Sequence, residues 1–149
     1  MLRKRILPPT WLCIALLVMA ALHLLVPLKK LGLYPWSLLG LIPLAAGIVL
    51  NLIADAAFKA GNTTVKPFEA SAALITHGVF RFTRNPMYLG FALILLGTAL
   101  LLESLSAFLV VPAFVLFMHF RYILAEEVML DELFQENWQS YTQRVRRWI

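Results

Sequence analysis

Long apolar runs alternate with short polar connections along this chain, and the runs predict helices that cross a membrane. The first two runs are residues 11–27 and residues 36–58. Each is close to or above the roughly 20 residues that a helix needs to cross the hydrocarbon core of a bilayer. We therefore predict a membrane-spanning helix over each of them.

A third apolar run, residues 88–124, is too long for a single span and is interrupted near its middle by Glu103 and Ser104. Irregular backbone is avoided in the hydrocarbon, so this interruption predicts a tight turn at the far membrane surface. The run then forms a hairpin of two shorter spans, residues 87–102 and residues 105–124.

The polar C-terminal segment predicts an amphipathic helix. Apolar residues recur there at helical spacing, and Glu127 falls on the same stripe, whereas Glu126 lies one position round, toward the loop or solvent. Because a buried charge is unfavourable unless it is paired, we expect Glu127 to meet a cation, either an arginine of the central loop or a charged ligand. The apolar members of the stripe are Ile123, Leu130, Phe134, Trp138 and Tyr141.

Composition supports this picture, since 61% of the residues are hydrophobic and 14% are charged. We predict a single integral membrane domain over residues 1–149, all-α, built as a polytopic helical bundle of about four spans with a C-terminal cytoplasmic helix. Residues 61–90 and 121–149 form its polar, cytoplasmic region.

The basic residues predict the orientation of the bundle. Eleven of the thirteen lie on one side of the predicted membrane, which by the positive-inside rule places both termini in the cytoplasm. The net charge of +5 then reflects topology and attraction to anionic lipids, and it does not indicate nucleic acid as a partner. The eleven are Arg3, Lys4, Arg5, Lys59, Lys66, Arg81, Arg84, Arg121, Arg144, Arg146 and Arg147, and the other two are Lys29 and Lys30.

The start of the third span combines helix-start signals with positive charge. We expect Asn85 to cap the first turn and Pro86 to occupy the first helical position, so that the helix dipole favours an anionic group nearby. The alternative is an interfacial anchor, in which Arg81 and Arg84 meet lipid phosphates and Tyr88 lies in the aromatic belt.

Polar residues also lie near the cytoplasmic end of the second span, where Asn51, Asp55 and Lys59 are four residues apart. Asp55 is a candidate site residue, because intramembrane acids usually face the bundle or an aqueous cavity. The alternative is an Asp55–Lys59 pair whose lysine extends outward. We expect Glu103 and His23 to be structural.

From residue 61 onward the chain contains a recognisable series of motifs. They are Gly61-Asn62-Thr63-Thr64, Pro67, the continuous block from His77 to Gly90 (HGVFRFTRNPMYLG), Glu126-Glu127, Leu130, Phe134, Tyr141 and Val145-Arg146-Arg147-Trp148. In these motifs the chain resembles the isoprenylcysteine carboxyl methyltransferases, which belong to a wider group of membrane methyltransferases that includes phospholipid N-methyltransferases.

The resemblance implies an S-adenosylmethionine-dependent methyltransferase that acts on a lipophilic acceptor at the membrane. It implies catalytic roles for Arg84, Glu127 and Arg81. An acceptor carboxylate would be held by one of the two arginines, Arg81 or Arg84. The acceptor is expected to be an isoprenylcysteine-like carboxyl group, with phospholipid or other amphiphile N-methylation and a non-enzymatic scaffold as alternatives. The implied cofactor-binding residues are His77, Arg84, Asn85, Pro86, Tyr88, Leu89, Gly90, Glu126 and Glu127.

The physical chemistry of these residues agrees with the implied cofactor. The carboxylates of Glu126 and Glu127 suit its cationic groups, Arg84 suits its carboxylate, and the Tyr88 ring offers a face to a cation. Methylation of a carboxylate requires neither a metal ion nor a general base, so no metal site is expected. The oligomeric state is left open.

The chain departs from the family pattern in three places. Relatives usually have a glycine after Phe134 and then two tyrosines, whereas this chain continues as Gln135-Glu136-Asn137-Trp138 before Tyr141. Arg146 replaces a common proline, and Asn85 replaces the histidine of the eukaryotic prenylcysteine enzymes. The first two predict a different packing of the C-terminus, and the third leaves carboxylate, amine and thiol acceptors open.

Overall fold

The structure is a computed structural model, and it describes residues 6–26, 28–61 and 73–149. The predictions made for the basic N-terminus, for Pro27 and for the polar residues Asn62 to Pro67 lie outside these described residues.

Five α-helices form the bundle, and over the described residues the chain contains no β-strand beyond an isolated bridge between Lys30 and Ser104. The predicted all-α membrane bundle is therefore confirmed. Shorter helical turns precede α2 and α3 and join α4 to α5. The helices are α1 (Pro8–Leu25), α2 (Leu41–Ala60), α3 (Pro86–Leu102), α4 (Leu105–Met118) and α5 (Leu124–Arg144), with 3₁₀ turns at Trp36–Gly40 and Gly78–Arg81 and a π turn at His119–Ile123.

Within the described ranges, three helical stretches are long and apolar enough to cross a membrane, namely Pro8–Leu25, Trp36–Ala60 and Leu105–Arg144. The shorter apolar helix Pro86–Leu102 packs among them. Only the first half of the last stretch belongs to the spanning part. Forty residues of helix are about 60 Å long, twice the thickness of the hydrocarbon core, and α5 is the polar half. The membrane-spanning part therefore ends near Ile123.

The predicted hairpin turn lies at Glu103 and Ser104, between α3 and α4. Glu103 has a left-handed backbone conformation with φ of 51°. Its carbonyl oxygen accepts a hydrogen bond from the Leu31 N–H at 2.8 Å, and its carboxylate accepts one from the Leu33 N–H at 3.0 Å. Glu103 thus ties the turn to the α1–α2 connection, which confirms its structural role.

Helices α2 and α3 approach each other closely through two pairs of glycines, Gly40 with Gly97 and Gly47 with Gly90. A Cβ atom added to Gly97 would lie 2.5 Å from the Gly40 carbonyl oxygen. The two glycines of each helix are seven residues apart, so they lie on one face and let the two backbones touch. This contact fixes the height of α3, and hence of its first turn, in the bundle.

The bundle has two ends that differ in chemistry. One end, which we call the site face, carries the start of α1, the end of α2, the start of α3 and the start of α5. The other carries the α1–α2 connection and the Glu103 turn. The main hydrophobic core runs between them and includes Met19, Leu95, Met118 and Ile123, which are fully buried.

Helix α5 is bent at Gln135, whose backbone angles are φ 41° and ψ −114°. A residue that carries a Cβ atom is strained in this backbone conformation. Relatives are expected to have glycine at this position, which would not be strained. We expect Gln135→Gly to raise the free energy of unfolding by about 1 kcal/mol, as measured by thermal or chemical unfolding in detergent micelles.

The matched control for this substitution is Asn137→Gly, which places glycine at an exposed, regularly helical position of the same helix. There glycine is expected to lower stability by about 0.5–1 kcal/mol. Equal destabilisation by both substitutions would show that the Gln135 backbone is not strained.

Candidate functional site

The first turn of α3 begins as predicted at Pro86, but Asn85 does not cap it. Asn85 occupies the N-cap position without a side-chain hydrogen bond to the helix. Its Nδ2 instead donates to the Arg147 carbonyl oxygen at 2.9 Å. The predicted capping role is therefore wrong, because the Asn85 amide is oriented toward the C-terminal segment and its oxygen accepts no N–H of the first turn.

The last residues of the chain dock on the segment just before α3. The Arg84 N–H donates to the Arg146 carbonyl oxygen at 3.0 Å, and the Thr83 hydroxyl donates to the Arg147 carbonyl oxygen at 3.3 Å. Trp148 packs against the main hydrophobic core. The C-terminal segment thus closes one side of the site face.

Glu127 is held between two arginines, which confirms the expectation that this carboxylate meets a cation. Arg147 donates from Nε at 2.9 Å and from Nη2 at 2.6 Å, and Arg84 Nη1 lies 3.4 Å from Oε1. The Glu127 side chain is 14% exposed and that of Arg84 is 12% exposed. The hydrogen bonds with Glu127 raise the pKa of the Arg147 guanidinium. Arg147 is therefore part of the site, a role that the sequence did not assign to it.

Arg84 keeps one donor for which the described residues offer no acceptor. Its guanidinium carbon lies 5.6 Å from the centre of the Trp138 ring, a cation–π contact. Its Nε is buried and has no hydrogen-bond partner among the described residues. Buried polar atoms are nearly always paired, so this unpaired donor makes Arg84 a candidate for contact with an anionic ligand.

Tyr88 and Glu126 join the start of α3 to the start of α5. The Tyr88 hydroxyl donates to Glu126 Oε1 at 2.6 Å. Burial raises the pKa of the Glu126 carboxyl to about 7, and the hydrogen bond from Tyr88 opposes part of that shift. The hydrogen bond from Tyr88 thus fixes the titratable carboxyl group of Glu126 at the edge of the bundle.

These groups border a cavity of about 200 Å³, which we call the Arg84 cavity. Most of its wall is apolar and comes from the start of α1, the end of α2, the loop before α3 and the first turns of α3, whereas residues such as Arg84, Tyr88 and Glu126 supply polar atoms. The lining residues are Leu7, Pro8, Pro9, Phe58, Phe80, Arg84, Asn85, Pro86, Met87, Tyr88, Phe91 and Glu126.

A second cavity, of about 250 Å³, borders the end of the Gly78–Arg81 turn and shares no lining residue with the Arg84 cavity. Its lining residues are Thr76, Arg81, Tyr141, Arg144 and Val145. The Tyr141 hydroxyl donates to the Phe80 carbonyl oxygen at 2.7 Å, and this bond anchors the wall between the two cavities.

Five of the predicted site residues meet at the Arg84 cavity: Arg84, Asn85, Pro86, Tyr88 and Glu126. Glu127 lies behind them and holds Arg84. The remaining predicted residues lie elsewhere. Arg81 borders the second cavity, His77 is exposed, Leu89 is partly buried, and Gly90 packs against α2.

The polar residues of α2 do not reach the Arg84 cavity. Lys59 Nζ lies 2.6 Å from Asp55 Oδ2, which is the pairing given as the alternative for Asp55. Asn51 Nδ2 donates to the Gly47 carbonyl oxygen at 2.9 Å and packs against Gly90. Both contacts support the structural interpretation of this line of residues.

Several lining residues were not predicted from the sequence. Leu7, Pro8 and Pro9 belong to the start of α1, and Phe58 lies near the end of α2. Their residue types carry no chemical signal, and only the packing of α1 and α2 beside α3 brings them to the cavity. Over the described residues, no cluster of histidine, cysteine and acidic side chains is suited to hold a metal ion.

Comparison with known proteins covers the same region. The model of a family described as phospholipid methyltransferase matches residues 36–137, a segment that contains α2, α3, α4 and the first part of α5. An uncharacterised protein of Haemophilus influenzae is 40% identical over 63 residues, which are 42% of this chain and the whole of that protein.

A solved structure of a eukaryotic intramembrane Ras methyltransferase, an isoprenylcysteine carboxyl methyltransferase, has the same fold. It matches 95% of this chain with a TM-score of 0.71 and 27% sequence identity. The chain spans about half, 51%, of the length of that solved protein.

Proposed function

Because the chain belongs to the phospholipid methyltransferase family, we propose that this integral membrane protein transfers a methyl group from S-adenosylmethionine to a lipophilic acceptor at its site face. The family match and the shared fold confirm the resemblance to the membrane methyltransferases that the sequence indicated. Membership of a family of enzymes also disfavours the scaffold alternative. The observation that carries the proposal is the group formed by Arg84, Tyr88 and Glu126 around one cavity.

The Arg84 cavity suits the charged groups of S-adenosylmethionine. The unpaired Nε of Arg84 and the positive end of α3 favour the cofactor's carboxylate. Glu126 offers a carboxylate to the cationic groups of the cofactor, and the Tyr88 ring lies beside Glu126. Since ligand cavities usually measure about 300–1,000 Å³, a cavity of about 200 Å³ accommodates only part of the two substrates.

Glu127 has a different role from the binding of the cofactor's cationic groups that its negative charge first indicates. Its oxygens are already engaged by Arg147 and lie close to Arg84. We therefore assign it the positioning of Arg84 rather than direct contact with the cofactor. Arg147 shares this role, because it neutralises Glu127 from the side of the C-terminal segment.

S-adenosylmethionine supplies, when bound, a methyl group that is activated by the positive sulfur. The protein's contribution is to align the acceptor oxygen with that methyl carbon and to exclude water from the approach. A carboxylate acceptor is already ionised and has no proton to lose, so the site needs no general base. The apolar walls contributed by Leu7, Phe58 and Phe91 exclude water and favour a lipophilic acceptor.

Carboxyl methylation of an isoprenylcysteine-like acceptor is the first candidate reaction, and the solved isoprenylcysteine carboxyl methyltransferase supports it. The second candidate is N-methylation of a phospholipid or similar amphiphile, which the family description supports. An ammonium acceptor must lose its proton before the nitrogen attacks the methyl carbon. Glu126, whose pKa is raised to about 7 by burial, is the carboxylate placed to accept that proton.

We also propose that the site face is cytoplasmic, which is where the cofactor is made available. The support is the distribution of charge over the described residues, since seven basic residues lie on the side of the site face and two, Lys29 and Lys30, lie on the other. Substrate then reaches the site from the inner leaflet of the membrane.

Incubation of membranes containing the protein with methyl-labelled S-adenosylmethionine tests the proposal and separates the two candidate reactions. We expect label in the lipid-soluble fraction, released by mild base as methanol for a carboxyl ester and resistant to base for a methylated amine. Control membranes carry the protein with Arg84→Ala. Equal labelling in both, together with no calorimetric binding of the cofactor to the purified protein, would overturn the proposed function.

A further inference from the structure

The second cavity gathers positive charge without a matching carboxylate. Arg81 and Arg144 both border it, and neither forms an ion pair with any acidic side chain of the described residues. Arg144 uses its Nε in a hydrogen bond to the Ser140 carbonyl oxygen at 3.2 Å, which leaves its terminal nitrogens for another partner. Two like charges around one cavity are unfavourable unless an anion lies between them.

The uncharged part of the cavity wall is suited to the same anion. Thr76 is exposed and brings a hydroxyl group that is free to donate a hydrogen bond. The Tyr141 hydroxyl donates its hydrogen bond to the Phe80 carbonyl oxygen, which holds the wall of the cavity in place. Arginines recognise phosphate oxygens through parallel N–H groups, so a phosphate fits this arrangement.

An exposed aromatic residue next to Arg81 in the sequence indicates where the phosphate comes from. Phe82 directly follows Arg81 and is 78% exposed, and the α3 span begins four residues later at Pro86. Basic residues just outside a membrane span lie near the headgroup phosphates, and the exposed ring of Phe82 gives this segment an apolar surface for lipid contact.

We propose that the Arg81–Arg144 cavity is a phosphate-binding site that holds the headgroup of a membrane phospholipid. This site is separate from the Arg84 cavity, because the Gly78–Arg81 turn and the Tyr141–Phe80 hydrogen bond lie between them. The inference therefore does not depend on methyl transfer, and a failure of the proposed function would leave it standing.

Thermal unfolding of the purified protein in maltoside micelles tests the site with two probes, inorganic phosphate and dihexanoyl phosphatidic acid. We expect the short-chain lipid to raise the melting temperature in a saturable manner. Arg81→Gln and Arg144→Gln should each weaken the apparent affinity at least fivefold. Because both side chains are exposed, the melting temperature without a probe should stay close to that of the parent protein.

Arg146→Gln is the matched control, since it removes one positive charge from an exposed position nearby that does not border the cavity. We expect it to change the apparent affinity less than twofold. Equal weakening by all three substitutions would show a general effect of charge and overturn the site. Stabilisation by inorganic phosphate without stabilisation by the lipid would overturn the lipid as the occupant.

Discussion

Arg84→Ala is expected to weaken the binding of S-adenosylmethionine at least tenfold, which is about 1.4 kcal/mol. Arg84 is 12% exposed and lines the cavity, and its buried Nε has no hydrogen-bond partner among the described residues. Its loss removes the proposed contact with the cofactor's carboxylate. Isothermal titration of the purified protein measures the change directly.

Glu127→Gln is expected to weaken binding by a similar factor, although its side chain does not line the cavity. The neutral amide cannot hold both Arg84 and Arg147, so the two guanidinium groups repel each other and Arg84 leaves its position. The effect should therefore appear as lost affinity together with a moderate loss of stability.

Two further variants separate the site from general effects of charge and folding. Arg84→Lys keeps the charge but loses the Nε donor, and it should bind the cofactor more weakly than the parent protein while unfolding at a similar temperature. Arg146→Ala removes an exposed arginine and should leave affinity unchanged. Unchanged affinity in both Arg84→Ala and Glu127→Gln would refute the assignment of the cofactor to this cavity.

Gly47→Val is expected to destabilise the bundle by about 3 kcal/mol, the upper end of the usual range for overpacking a core. A Cβ atom at this position would lie 2.9 Å from the backbone nitrogen of Ile94 and closer still to the carbonyl oxygen of Gly90. These are backbone atoms, which cannot turn aside as a flexible side chain does. Helices α2 and α3 must therefore separate.

The matched control is Ala46→Val, which creates the same residue at the neighbouring position of α2. Ala46 is exposed at the lipid-facing surface of the bundle, so its added methyl groups meet no protein atom of comparable rigidity. Unfolding in mixed micelles of maltoside and dodecyl sulfate should show the loss of stability for Gly47→Val alone. A similar stability of the two variants would mean that the backbones are not in contact at the glycines.

The hydrophobic pattern predicted the helices well because their ends follow from local chemistry. The predicted third span, residues 87–102, corresponds to α3 at Pro86–Leu102, and the turn lies at Glu103 and Ser104 as expected. Helix α1 begins three residues earlier than predicted, because the pair Pro8-Pro9 suits a first helical turn. Helix α4 ends earlier, at Met118, where a π turn continues into α5.

The candidate site was only partly predictable. The sequence indicated two parts of the site, because charged residues next to apolar helices are unfavourable unless they have a partner or a function. These parts are the block from Arg84 to Tyr88 and the Glu126–Glu127 pair. The sequence did not indicate that Arg81 and Arg84, three residues apart, border different cavities. That separation depends on the backbone between them, since Arg81 ends the Gly78–Arg81 turn and borders the second cavity, whereas Arg84 follows the turn and borders the Arg84 cavity.

By itself the sequence determined that this is a helical membrane protein and that Glu127 must be paired with a cation, because both conclusions depend on the free energy of burying particular side chains. Only the tertiary structure decided that the partners are Arg84 and Arg147, that Tyr88 bonds to Glu126, and that Asn85 bonds to the C-terminal segment. The residues in these contacts are 20 to 62 positions apart. Their meeting depends on the close glycine contact between α2 and α3 and on the path of the C-terminal segment, which no local pattern encodes.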